Sequence, residues 1–262
     1  MVSSKQQGVG AQAAQGAIVF VHGYLDGPEA WGRVRENLVL PGWSLDAIRL
    51  EPMHTPQDSS AEILQQYAGQ VLRYITDHVN TQAGSVVLVG HSMGAQIAEL
   101  AADLLGERLS GLILVTPAPL EGYPLPPNVM EQFVLRAGGT DVVSIKKGKR
   151  GLAVALDDEA LDILVSATLA TNRDTALEQL RAWTGGHSAG AHPSELDVPV
   201  LLISTDDTFI TEELVGRGAK RYRMASVEKI PGAGHWPQLE QHTALTQSIT
   251  QFVQSLPSTV LL

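Results

Sequence analysis

The sequence predicts an α/β domain: a mostly parallel, doubly wound sheet of about six strands with a helical segment inserted late in the chain. Three observations carry this. Short apolar runs such as Ala17–Val21 and Val86–Val89 alternate with stretches whose apolar residues recur every three or four positions. That alternation breaks for about 75 residues after Pro119 and then resumes. Between the third run and the helix after it stands Gly90-His91-Ser92-Met93-Gly94, a pattern that belongs to a sharp strand-to-helix turn.

Residues 1–16 are polar, rich in Gln, Gly and Ala, and read as a disordered tail. They contain no basic start followed by an apolar run, so no signal peptide is visible and a cytoplasmic location is expected. Ala17-Ile18-Val19-Phe20-Val21 reads as a central strand buried on both faces, ending at His22-Gly23. From Glu29 to Leu40, Trp31, Val34 and Leu38 mark an amphipathic helix. Trp43 to Leu50 supplies the second strand. Between Ser59 and Asn80, Ile63, Tyr67, Val71 and Ile75 at four-residue steps define a longer helix. The third strand, the Gly-rich turn and the helix from about Ser92 follow, and then a fourth strand, Leu112–Val115, ending in Thr116-Pro117-Ala118-Pro119.

A core domain over 17–119 and 197–262 is therefore interrupted by a helical insert over 120–196. Within the insert the clearest helices are Val129–Arg136, Glu159–Ala170 and Thr175–Trp183, and Lys146-Lys147-Gly148-Lys149-Arg150 reads as a solvated loop. The sheet resumes at Val198–Ile203 and Val227–Ile230. A last helix presents Leu245, Ile249, Phe252 and Leu256 on one face.

Composition narrows the function. With 262 residues and 44% hydrophobic content the chain can bury one large core without staples. A net charge of −10 argues against a nucleic-acid partner, and no apolar run reaches membrane-spanning length. Zero cysteines exclude disulfides, thiol catalysis and cysteine–zinc sites. His187 and His192 stand five apart with no third ligand nearby, so no metal site is expected.

A serine hydroxyl needs a base within hydrogen-bond reach, and the base needs an orienting carboxylate. Ser92 sits where the turn lifts its hydroxyl above the sheet, and the first free amide of the following helix, that of Met93, can donate to an oxyanion. Pro231-Gly232-Ala233-Gly234-His235-Trp236-Pro237 follows the last strand and offers His235 as the base. Asp206 and Asp207, just after the preceding strand, compete to orient it, with Glu121 a distant third.

His22-Gly23, Gly90-His91-Ser92-Met93-Gly94, Asp207 and Gly234-His235-Trp236-Pro237 together resemble the α/β-hydrolase superfamily, and the likeness runs from Ala17 onward. Its acid loop commonly reads Gly-x-x-Asp-x-x-x-Pro; aligning Ser204 with the Gly puts Asp207 on the Asp and Thr211 on the Pro, which favours Asp207. The resemblance implies a second oxyanion amide at Tyr24, paired with that of Met93. It also implies that the insert is a helical cap over the nucleophile. Gly23, Leu25, Trp183 and Trp236 are then the candidate substrate contacts, and Leu152, Leu156, Leu161, Leu164 and Leu169 are further pocket candidates, most of which pack cap on core. The common Asp-x-x-Gly-x-Gly-x-Ser turn is replaced here by Arg49-Leu50-Glu51-Pro52-Met53-His54-Thr55-Pro56, with His54 in the loop. Length and that departure are similar to the compact branch of plant methylesterases and hydroxynitrile lyases. The expected activity is a cofactor-free serine hydrolase acting on a small, largely apolar ester or lactone. A lyase or carbon–carbon bond hydrolase on the same scaffold, or a small-molecule receptor, is the alternative.

Overall fold

A computed structural model describes residues 16–52, 57–79 and 85–257; most of the tail, and His54, lie outside the described residues. Six strands, β1 Gly16–Val21, β2 Trp43–Ile48, β3 Val86–His91, β4 Leu109–Val115, β5 Val200–Ser204 and β6 Ala225–Lys229, form one parallel sheet in the order β2-β1-β3-β4-β5-β6. The order reverses between β1 and β3. Loops leaving those two strands diverge to opposite faces and leave a crevice at their carboxyl ends.

Alternation along the central strands explains their unbroken apolar character. Ala17, Val19, Val21, Val86 and Leu88 enter one core, while Ile18, Phe20, Val87 and Val89 enter the other. Each strand thus feeds two layers. Strand β6 is exposed along its length and carries Ser226, Glu228 and Lys229, polar residues that discourage pairing at an open edge.

The helices in chain order are α1 Gly32–Asn37, α2 Ser60–His78, α3 Met93–Leu105, α4 Pro127–Arg136, α5 Val142–Arg150, α6 Asp158–Ala170, α7 Arg173–Gly185, α8 Glu212–Ala219, α9 Pro237–Glu240 and α10 His242–Ser255. Helix α2 begins at a reciprocal capping box in which Ser59 and Glu62 satisfy each other's free amides. The expected helix over Glu29–Leu40 is shorter: a 3-10 turn at Pro28–Trp31 leads into α1, and Leu38 is already extended. Pro41 steers the backbone before it away from the helical region.

The insert between β4 and β5 contains four helices, α4 to α7. Its entry and exit are stitched: Tyr123 N–H donates to the Thr184 carbonyl at 3.0 Å and His187 N–H to that of Leu120 at 2.7 Å. Gly122 makes this crossing possible, with φ +97° and space so close that a Cβ would lie 2.6 Å from the Thr184 carbonyl oxygen. Helix α5 corrects the expectation of a solvated basic loop. Asp141 caps it by accepting from the amides of Val143 and Ser144, and Lys147, Lys149 and Arg150 occupy its last turn, where cations favour the helix dipole. Among the described residues, no helix is long and apolar enough to cross a membrane.

Candidate active site

Strand β3 ends at His91, helix α3 starts at Met93, and Ser92 between them has φ +54° and ψ −119°. L-residues adopt that conformation only under constraint. The two flanking glycines supply it. A Cβ on Gly90 would lie 2.4 Å from the Gly94 carbonyl oxygen, and one on Gly94 would lie 2.4 Å from the carbonyl oxygen of His22 and 2.5 Å from that of Val21. Those are backbone atoms of α3 and of the end of β1 and cannot yield. Gly94→Ala is therefore expected to cost about 3 kcal/mol, measured as a drop in the urea midpoint at unchanged slope.

Ser92, His235 and Asp207 meet at the carboxyl ends of β3, β6 and β5. The Ser92 hydroxyl lies 3.1 Å from His235 Nε2, and His235 Nδ1 lies 2.6 Å from Asp207 Oδ2. One loop carboxylate decides the tautomer, because Nδ1–H donates to Asp207 and leaves Nε2 free to accept from the hydroxyl. Burial works to raise the Asp207 carboxyl, but the imidazole and the amides of Phe209 and Ile210 outweigh it and hold it below the ordinary aspartate range. Asp206 points elsewhere: it accepts from Gly232 N–H at 2.7 Å and pairs with Lys229 at 3.3 Å. Glu121 borders a recess between α3 and α8.

The His235 backbone is fixed by three hydrogen bonds. Its carbonyl accepts from His91 Nε2 at 2.7 Å and from the Thr116 hydroxyl at 3.1 Å, and its N–H donates to the Leu152 carbonyl at 2.9 Å. The buried Glu240 carboxylate accepts from Gly234 N–H at 3.0 Å and Trp236 N–H at 3.1 Å, and also from the amides of Val154 and Ala155 in the insert. One acid thus ties the imidazole loop to the segment between α5 and α6.

Across Ser92, the loop after β1 approaches closely enough that a Cβ on Gly23 would lie 3.2 Å from Ser92 Cβ. Among the described residues, neither Tyr24 N–H nor Met93 N–H donates to a non-local backbone carbonyl or to a side chain, so both remain available to an incoming oxygen. Leu25, at φ +55°, is held by Gln179 of α7, which accepts its N–H at 3.2 Å. Gln96 Nε2 donates to the carbonyls of Pro119 and Trp183 and fixes both ends of the insert to α3.

Aromatic rings wall this space. Trp183 lies about 6 Å from Tyr24, Phe133 and Phe209, and Phe209 lies 6.2 Å from His235, edge to face. Trp236, expected to contact substrate, is turned into the packing of the insert instead: its indole N–H donates to Asp26 at 3.0 Å and its ring packs with Leu161 and Leu164 of α6. Leu169, a pocket candidate by sequence, is 41% exposed. Two surface recesses, of 610 Å³ between α4 and α7 and 340 Å³ between α3 and α8, lack Ser92, His235 and Asp207 in their linings. Ser92 itself is 8% exposed.

His22 is a structural group: its ring is buried, burial pushes it down in pKa, and it accepts from Leu50 N–H at 3.2 Å. His187 caps the turn at Ser188–Ala191 by accepting from Ala189 N–H. Among the described residues no group of three or more His, Asp or Glu could hold a metal ion. Sequence reasoning missed Phe209, Glu240, Asp26 and Lys149. Phe209 and Glu240 carried local signals, lying two residues after Asp207 and five after His235.

The sequence matches the model of the alpha/beta hydrolase family over residues 18–247. Methylesterase 7 of Arabidopsis thaliana is 31% identical over 103 residues, which are 38% of this chain and 39% of that protein. Methylesterase 4 of the same plant is 26% identical over 119 residues, 45% of each. The matched stretch thus spans less than half the length of these relatives. Among solved structures, a bromoperoxidase from Bacillus anthracis has a TM-score of 0.79 at 13% identity, covering 93% of this chain and 94% of that one. The enol-lactonase of Burkholderia xenovorans LB400 has a TM-score of 0.73 at 16% identity, covering 94% and 93%. At such identities the structural likeness is one of fold. The six-stranded parallel sheet, the strand-to-helix turn at Ser92 and the family match over 18–247 together make the chain a member of the alpha/beta hydrolase family.

Proposed function

We propose that this chain is a serine hydrolase that cleaves a small, largely apolar carboxylic ester or lactone through an acyl-enzyme, with Ser92 as nucleophile, His235 as general base and acid, and Asp207 as its orienting carboxylate. The observation that carries it is the unbroken relay from the Ser92 hydroxyl to His235 at 3.1 Å and on to Asp207 at 2.6 Å. His235 Nε2 takes the hydroxyl proton as Oγ attacks the carbonyl carbon, and the imidazolium is stabilised by Asp207, which stays ionised. The oxyanion forms against the N–H groups of Tyr24 and Met93, each such donor contributing about 3 kcal/mol. Collapse of the intermediate sends the Nε2 proton to the leaving alkoxide. Water then attacks the acyl carbon with His235 as base, and Ser92 regains its proton. No step needs a cofactor.

The aromatic wall of Tyr24, Phe133, Trp183 and Phe209 supports an apolar acyl or alcohol group. The ester-cleaving names of the methylesterase relatives point the same way. A fluorophosphonate probe should label Ser92 with loss of one leaving group, and p-nitrophenyl esters of graded chain length should give a burst of one nitrophenolate per enzyme. Absence of label on folded protein sinks the proposal. Labelling without a burst, together with product formed without uptake of solvent oxygen, would replace it with proton-shuttling lyase chemistry.

A further inference from the structure

Lys149 takes no part in the relay, yet its side chain is only 11% exposed in a protein whose other basic groups are mostly at the surface. Its ammonium donates to Asp26 Oδ1 at 3.0 Å and lies 4.9 Å over the Trp236 ring. Asp26 is 2% exposed and follows Tyr24 by two residues, in the loop after β1. Its other oxygen accepts from Trp236 Nε1 at 3.0 Å and lies 3.7 Å from His91 Nδ1. His91 in turn donates from Nε2 to the His235 carbonyl, with the two rings 5.0 Å apart. One carboxylate therefore joins helix α5 of the insert, the Tyr24 loop, the end of β3 and the His235 loop.

Stability alone does not account for such a pair. Desolvating an ammonium and a carboxylate offsets most of their attraction, and apolar residues of similar size serve a core as well or better. What distinguishes this pair is where it sits.

We propose that Lys149 is a positioning residue for the reaction: when α5 is seated, its charge engages Asp26, fixes the loop that carries Tyr24, and keeps the Asp26 carboxylate from drawing a proton onto His91. Its effect on turnover rests on the hydrolase reading above, whereas its effect on His91 does not.

The protonation logic follows from the donors. His91 Nε2 carries the proton given to the His235 carbonyl, so Nδ1 is the bare nitrogen that faces Asp26. Burial pushes His91 down to about 3, with His235 adding to this, while Asp26 and Asp207 pull the other way. Those three groups, from the loops after β6, β1 and β5, are the titratable neighbours of His91; the Trp31 ring covers its edge at 6.4 Å. Burial works to raise Asp26, and Lys149, His91 and Trp236 outweigh it; His22 is its remaining titratable neighbour. Removing the ammonium leaves a buried carboxylate whose nearest proton acceptor is His91 Nδ1. A cationic His91 would then stand 5.0 Å from His235 and oppose the positive charge that His235 must acquire.

The test compares the intact protein with Lys149→Met, Lys149→Gln, Lys149→Arg and the double variant Asp26→Asn/Lys149→Met. Imidazole NMR titrations from pH 2 to 9, and kcat and KM for a p-nitrophenyl ester from pH 4 to 9, are the readouts. In Lys149→Met the His91 titration should rise from about 3 by about one unit or more. kcat should fall about tenfold with KM changed less than about twofold. Lys149→Arg should restore most of the rate, and the double variant should return the His91 titration to its original position. Lys149→Gln keeps a donor to Asp26 without the charge and carries the same readouts if the methionine variant does not fold. An unmoved His91 titration in both neutral variants overturns the proposal, as does a rate loss that arginine fails to rescue. If the unaltered protein neither cleaves esters nor reacts at Ser92, the hydrolase reading fails while the His91 titration still decides the role of Lys149.

Discussion

Ser92→Ala should lower kcat for ester hydrolysis by about 10⁵-fold while leaving KM within a few-fold, because removing the nucleophile of a cooperating set costs nearly as much as removing the whole set. The residual rate would come from the amides of Tyr24 and Met93, which the substitution leaves in place. Stopped-flow measurement on a p-nitrophenyl ester should show the burst vanish along with turnover. A loss of only tenfold would mean that Oγ is not the attacking atom. Ser92→Gly separates chemistry from strain. The site holds a side chain at φ +54°, a conformation that costs an L-residue about 1–3 kcal/mol and glycine far less. The glycine variant should therefore be as inactive as the alanine variant and yet unfold at a urea concentration about 1 kcal/mol more stable. Function at this position is bought with stability.

That coupling also explains why Ser92 was legible in the sequence and other parts of the site were not. Gly90, Ser92 and Gly94 answer constraints set by backbone atoms within a few residues or on the adjacent strand, so local residue types report them. The apolar runs of β1 and β3 are legible for the same reason, since a strand buried on both faces leaves no polar position. Strand β6 was harder to place: it is exposed along its length, so no apolar run marks its start at Ala225. The basic run in α5 was misread because composition shows charge and not a partner; Asp26 lies 123 positions away from Lys149. Trp236 was misplaced on the same ground, since adjacency to His235 in sequence sets no direction for a ring whose indole N–H finds Asp26, 210 positions away. The acid was ambiguous for a related cause. Two adjacent carboxylates in one loop point to different sides, and only the packing of the loop after β6 selects between them.

Asp207→Asn measures that selection. An asparagine of the same size keeps the loop but can present its amide N–H to Nδ1, favouring the tautomer that puts the proton on Nε2, where it cannot accept from Ser92. A fall in kcat of about 10⁴-fold is expected, with fluorophosphonate labelling slowed in parallel. Asp206→Asn should change kcat less than about twofold, because Asp206 is spent on Gly232 N–H and Lys229. The two variants should also part in their response to acid. Asp207 is held below the ordinary aspartate range in the folded protein, so on acidification the unfolded chain takes up that proton first. Its contribution to stability is full above the ordinary value and is lost as pH falls through the folded one. Unfolding by urea at pH 7 and pH 3 should show a smaller difference for Asp207→Asn than for the unaltered protein. Equal losses of rate in the two asparagine variants, or a large loss only in Asp206→Asn, would move the acid to the neighbouring position and break the relay at its last link.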